Sequence, residues 1–381
     1  MRIVALETFL VAPRWLFLRI ETDEGIVGWG EPVVEGRAET VRAAVRELSE
    51  LLVGRDPLRI EDHWQTLTKS GFYRGGPVLS SAVAGIDQAL WDIAGKARGV
   101  PVHELLGGPV RERARVYAWV GGDDPGEIAE AIAAQLDSGM TAVKMNGSGR
   151  LLAIDTPAET AAIVARIEAA RAALGPSNDV AIDFHGRFST AMAARVLPLL
   201  EPLHPLFVEE PVLPEHAGSL PRLTAASNIP LAIGERCYSR ADFRPLLDSG
   251  VAVFQPDLSH AGGISEVRRI AALAETWDIA LAPHCPLGPI ALAASLQVDF
   301  ATPNFLIQEA SLGMHYNGGV ELLEYLVDTT VFDVRDGAVA RPTAPGLGIE
   351  VDEAAVRAAA ERGHRWRNPV WRHPDGALAE W

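Results

Sequence analysis

The sequence predicts an α/β protein, a closed (β/α) barrel preceded by a smaller α+β domain. Three observations carry that prediction. From about Arg115 onward, short apolar runs of strand-forming residues alternate with helix-like stretches, eight times in all. Three of these runs, DVAID, LFVE and IPLAIGE, close on acids, Asp183, Glu209 and Glu235, at equal intervals of 26 residues. Residues 1–60 read instead as a meander of strands followed by helices.

The opening run, MRIVALETFLVAP, alternates as a strand does, and Glu7 within it argues against a signal peptide. WLFLRIETDEGIVGWGE then reads as two strands joined by a Thr-Asp-Glu-Gly turn. Two loops carry unusual chemistry: Pro13, Arg14 and Trp15, and the Gly-flanked GFYRGGP of residues 71–77. Such loops suit a lid that closes over a ligand and equally an ordinary surface turn, so Arg14, Tyr73 and Arg74 are candidate substrate contacts. From Ser81 to Val100, the apolar residues Val83, Ile86, Leu90, Ile93 and Ala97 follow the period of a helix packed on a core. Trp91 and Asp92 would serve packing and helix ends.

The eight candidate barrel strands are Arg115 to Val120, Ala142 to Asn146, Val180 to His185, Leu206 to Glu209, Leu231 to Glu235, Ala252 to Asp257, Ala280 to His284 and Asn304 to Glu309. Closure into a barrel gathers functional groups at the C-terminal strand ends. An open doubly wound sheet is the alternative, but no Gly-rich phosphate fingerprint follows any strand.

One acid at a strand end is ordinarily a solvated loop residue. Asp183, Glu209 and Glu235 would end the third, fourth and fifth consecutive strands, and neighbouring buried carboxylates repel unless a cation sits among them. A hard, oxygen-preferring divalent ion, Mg2+, is the expected occupant. His185 follows Asp183 by two, which on a strand turns both side chains inward. His284 ends the seventh strand, opposite the third, so the two histidines would flank whatever the metal holds. Asp257 on the sixth strand is placed to hydrogen-bond His284 and raise its basicity. This set suits removal of a proton next to a carboxylate, where the metal stabilises the resulting enediolate. Glu309 on the eighth strand could add a hydrogen bond to that anion.

The formal net charge of −16 disfavours nucleic acid and anionic membranes as partners, so an anionic substrate would need local cations. Two cysteines, Cys237 and Cys285, make no disulfide framework and point to a cytoplasmic protein. Cys285 beside His284 reads as packing. Apolar content favours a homo-oligomer, and His315 and the C-terminal tryptophans read as structural or subunit-contact residues.

AGIDQALWDIAGKARGVPVHELLGGP (residues 84–109) and PGLGIEVDE (residues 345–353) resemble the capping-domain and C-terminal signatures of the enolase superfamily, mandelate-racemase subgroup. Where racemases of that subgroup carry Lys-x-Lys at the end of the second strand, this chain has Lys144-Met145-Asn146. The second basic lysine is missing, which weakens a racemase reading. Asn146 could orient hydroxyls but not exchange protons, and Lys144 remains as a cation near a bound carboxylate or on the barrel rim. DFHGR, QPDLSHAGG, APHCPLGPIALAA and QEAS, with WRNPVWRHPDG through AEW at the end, are similar to acid-sugar dehydratases of the subgroup along the whole length.

That resemblance implies a modified TIM barrel, (β/α)7β, over residues 115–320, with a capping domain at 1–114 completed by residues 321–381. It implies one Mg2+ on Asp183, Glu209 and Glu235, with His284 as proton acceptor, His185 as proton donor, Asp257 tuning His284 and Glu309 stabilising the intermediate. Lys144, Asn146, Arg14, Tyr73 and Arg74 are the expected substrate contacts. The reaction would be loss of water from a hexonate, a six-carbon sugar acid. The alternatives are another hexonate epimer as substrate and a non-catalytic barrel that only binds sugar acids.

Overall fold

A computed structural model describes residues 1–122, 125–314, 317 and 322–381; His315 lies outside them. Strands β1 (Ile3–Val11), β2 (Trp15–Thr22) and β3 (Val27–Gly30) form the expected antiparallel meander. Helices α1 (Ala38–Ser49), α2 (Ile60–Lys69) and α3 (Pro77–Arg98) follow, and α3 packs on β3. Helix α3 starts at Pro77 rather than Ser81, a position where the missing N–H costs nothing, and it stops at Gly99, whose φ of 69° is left-handed.

Asp92 does more than end a helix. Its buried carboxylate accepts from the Trp29 N–H (2.9 Å), the Lys96 ammonium (2.7 Å) and the Leu347 N–H (2.9 Å), tying the meander to the PGLG segment. Trp91 donates its indole N–H to Ser265 Oγ at 2.9 Å and so reaches into the second unit.

That unit is a ring of parallel strands: β4 (Arg113–Val120), β5 (Ala142–Asn146), β6 (Asp179–Asp183), β7 (Val208–Glu209), β8 (Leu231–Ile233), β9 (Val253–Phe254), β10 (Ala280–Leu281) and β11 (Gln308–Ala310). β11 pairs with β4, and the Leu306 N–H donates to Leu281 O at 2.7 Å, so the ring closes where an open sheet would have two edges. Its interior carries Tyr117, Phe207, Val253 and Ile307 interleaved with Ala142, Ala181, Ala232 and Ala282, large against small, as a barrel filled by side chains requires. β9 and β10 are two residues long, shorter than their apolar runs. Pro256 and Pro283 explain this, since neither can donate to a neighbouring strand. Asp257 and His284 consequently stand on loops just beyond their strands.

After the barrel, β12 (Val334–Arg335) and β13 (Ala338–Ala340) form a hairpin that joins β4 antiparallel, an addition the sequence reading did not anticipate. The helix Glu353–Arg362 returns to the meander, where Arg357 pairs with Glu7 on β1 at 2.7 Å and Glu353 with Arg19 on β2 at 3.1 Å. The chain then crosses to the mouth of the barrel, where β14 (Trp371–Arg372) and β15 (Leu378–Ala379) pair. There Arg150 donates to Arg372 O at 2.7 Å. Among the described residues, no helix is long and apolar enough to cross a membrane.

Candidate active site

Parallel register brings the acids together. Asp183 on β6 stands beside Glu209 on β7, and Glu235 follows the end of β8 by two residues. One carboxylate oxygen from each lies within 4.8 Å of the others, and all three side chains are buried. Burial pushes the Glu209 carboxyl up. It pushes Glu235 the same way, but His284 and Arg236 outweigh it and hold that carboxyl well below the usual range. A buried, all-carboxylate donor set fits a hard divalent cation, so these residues could hold one.

Lys144 and Asn146 lie two apart on β5 and face the same cavity. Lys144 is buried, with its ammonium 2.6 Å from Glu209 and 3.0 Å from Glu309. It is therefore no rim charge. Burial alone would discharge it, but the two carboxylates hold it protonated. Glu309 is also buried, accepting the Cys285 N–H at 3.0 Å, so it is not a solvated strand-end acid.

His284 Nδ1 lies 2.9 Å from Asp257 Oδ2, and its Nε2 lies 3.4 Å from Glu235. Burial works against its charge, yet Glu235, Glu309 and Asp257 push its pKa up to about 10. Asp257 in turn accepts from the Ser259 N–H at 2.6 Å and the His260 N–H at 3.1 Å, which fix its carboxylate. His185 is not on a strand. Its φ of 53° is left-handed, so β6 stops at Asp183 and a turn, not strand alternation, aims the ring. Its N–H donates to Asp183 Oδ1 at 2.6 Å and its carbonyl accepts from Arg236 at 2.9 Å. Burial holds its pKa below the ordinary histidine value, and Arg187 and Arg236 add to that effect against Asp183 and Glu235.

A cavity of about 350 Å3 is lined by Asp183, His185, Glu235, His284, Glu309, Lys144, Asn146 and Arg14. Arg14 enters it from the turn after β1, with its guanidinium donating to Pro286 O at 2.8 Å. Tyr73 and Arg74 do not line it. Their loop projects into solvent, with Phe72 91% and Tyr73 88% exposed, and borders a separate groove between α1, α2 and Tyr238.

The sequence matches the enolase C-terminal domain-like family over residues 127–355 and the mandelate racemase / muconate lactonizing enzyme N-terminal domain over residues 4–107. The chain belongs to the enolase superfamily. Relatives named D-galactonate dehydratase, from Variovorax paradoxus and Xanthomonas axonopodis pv. citri (each 56% identical) and from Ralstonia pickettii (54%), align over 100% of this chain and of their own. Among solved structures, an enolase from Agrobacterium radiobacter with bound Na and L-malate is 32% identical, with a TM-score of 0.91 over 100% of both chains. A mandelate racemase/muconate lactonizing enzyme from Jannaschia sp. CCS1 is 32% identical, with a TM-score of 0.88, covering 97% of this chain and 100% of that one.

In this enolase-superfamily chain the cavity wall also includes Glu35, Arg236, Tyr238, His260, Asn368 and Trp381, none of which sequence reasoning singled out for a role. His260 sits 3.3 Å from Glu35 and 3.7 Å from Asp257. The two carboxylates overcome burial and push its pKa up to about 9. Its place in the loop that supplies Asp257 was the one available signal. Trp381 had none: assigned to structure or subunit contact, it stands with its ring edge-on to His185 at 5.7 Å.

Proposed function

We propose that the chain dehydrates D-galactonate to 2-dehydro-3-deoxy-D-galactonate, with Mg2+ held by Asp183, Glu209 and Glu235. The observation that carries this reading is that a cluster of three buried acids, Asp183, Glu209 and Glu235, two of which line the cavity, stands with two cavity histidines that have different Nδ1 partners. The full-length relatives named D-galactonate dehydratase support the choice of substrate.

His284, oriented and made basic by Asp257, takes the proton from C2. Lys144, paired with Glu309, presents positive charge to the carboxylate end of the substrate. Mg2+, when bound, would neutralise charge developing on the substrate carboxylate and withdraw from His284 the Glu235 charge that keeps it protonated. His185 delivers a proton to the 3-hydroxyl as the C3–O bond breaks, so water leaves and a C2–C3 double bond forms. The resulting enol tautomerises to the 2-keto-3-deoxy acid. Because β6 and β10 stand across the eight-strand ring from each other, the elimination is anti.

Incubating purified enzyme and Mg2+ with a panel of hexonates tests substrate and reaction together. Keto-acid formation from D-galactonate in preference to D-gluconate supports the reading, and reversed preference replaces the substrate. The absence of metal-dependent turnover on any hexonate would leave a binding barrel. His185→Asn should retain exchange of the C2 hydrogen with solvent deuterium while losing dehydration, whereas His284→Asn should lose both. We also read the protein as cytoplasmic with no nucleic-acid or membrane partner, from its two free cysteines and its net charge of −16, and as a homo-oligomer, from its apolar content of 48% and its family. Light scattering of the purified protein checks the oligomer.

A further inference from the structure

The proposed donor, His185, draws its orientation from a part of the chain that carries none of the acids. Its Nδ1 lies 3.0 Å from the main-chain oxygen of Trp381. That oxygen only accepts, so the hydrogen bond requires the proton to be on Nδ1. Backbone contacts from Asp183 and Arg236 fix the residue's main chain but touch neither ring nitrogen. The Trp381 ring meets the imidazole edge-on, with an interplanar angle of 88°, and stands 6.0 Å from Trp366. Trp366 in turn lies under the Arg14 guanidinium at 5.6 Å. Upstream, the β14–β15 hairpin is fastened to the loops after β5 and β6. Arg150 donates to Arg372 O, and Arg187 lies over Trp371 at 4.7 Å. The main-chain oxygen is thus presented by a strap pinned to both the cap and the barrel.

We propose that Trp381 is a positioning residue for proton delivery: its main-chain oxygen fixes the His185 tautomer and ring plane, leaving Nε2 as the nitrogen that meets the departing 3-hydroxyl. This rests on the reading of His185 as donor. It explains why a histidine in a left-handed turn, with no strand to aim it, presents one defined nitrogen to the cavity. Truncating the Trp381 ring removes both aromatic anchors and releases the oxygen.

Nitrogen NMR of the metal-free protein, with the His185 signals assigned by their loss in His185→Asn, reads the tautomer without turnover. The native spectrum should show a protonated Nδ1, and Trp381→Ala should shift it toward an averaged tautomer. With Mg2+ and D-galactonate, Trp381→Ala should lose dehydration by ~10- to 100-fold, the usual scale for residues that orient a reacting group, while C2 exchange stays within about 3-fold. Trp381→Phe should recover most of the loss. An unprotonated Nδ1 in the native spectrum overturns the proposal, as does native dehydration in Trp381→Ala or a parallel fall of exchange and dehydration. If Trp381→Ala does not fold, the native spectrum decides alone. Should His185→Asn lose exchange and dehydration together, the donor assignment fails, whereas separation there without separation in Trp381→Ala refutes only the positioning role.

Discussion

In the proposed reaction Asp257 and His284 set the basic end, and their pairing gives a signed expectation. His284 is raised to about 10 against the effect of burial, with Glu235, Glu309 and Asp257 as the causes. A base works only when deprotonated, so removing one of those charges moves its titration, and the rising limb of kcat/KM, to lower pH. Asp257→Asn keeps an acceptor for Nδ1 while losing the charge. Its acid-side limb should shift down in pH, with kcat reduced on the order of 10- to 100-fold because the base is weaker. A limb that stays in place would remove Asp257 from the tuning of His284. Lys144→Met tests the other end. It leaves Glu209 and Glu309 buried without their cation, so unfolding free energy should fall by about 3 kcal/mol or more in denaturant titration.

At this scale the acids were legible because a strand, a helix and two loops consume a nearly constant length, so an even interval reveals parallel neighbours. His185 was legible in identity but not in cause. Alternation along a strand would turn it inward, whereas its φ of 53° shows a turn doing so. Trp381 was illegible, because a contact across 196 residues leaves no periodicity to read.

Among the elements, the joint between α3 and the PGLG segment is the most tightly specified. Gly346 has a φ of 74°, and a Cβ there would lie 2.1 Å from Asp92 Oδ1. Gly346→Ala should therefore displace the carboxylate that holds the Trp29 and Leu347 N–H groups. The expected loss is about 2–4 kcal/mol, from left-handed strain and buried donors left unpaired, seen as a lower urea midpoint. An unchanged midpoint would show that the joint contributes little. The meander, α3 and the alternating barrel strands were all readable from hydrophobic period. The β12–β13 hairpin was not, since its few residues carry too short a pattern. The loop at 71–77 shows another limit: composition marks a loop as unusual, while its direction is decided by what packs beneath it.

For the whole molecule, a cation held by the acid cluster would couple metal binding to folding. Three buried carboxylates that repel one another destabilise the metal-free protein, and a cation that binds only the folded state stabilises it. Mg2+ at 100 times its Kd should add about 2.7 kcal/mol, seen as a rise in Tm that chelation reverses. Glu209→Gln should blunt that rise. Equal Tm values with and without metal would show that Mg2+ does not bind the folded state in preference to the unfolded one. Barrel closure and the presence of a cap were legible from the order of elements. The course of residues 363–381 over the barrel mouth was not, because the sequence reading sent that segment only to the cap.

The meander and the helix at Glu353–Arg362 share one surface although more than three hundred residues of sequence separate them, as between Glu7 and Arg357. During synthesis, then, the first hundred residues emerge with a face whose partner has not yet been made, and it waits while the ribosome completes the entire barrel. Newly translated protein should for that interval be a client of chaperones that shield apolar surface, and premature stop codons after residue 314 should yield chains with every barrel strand present yet an uncovered cap.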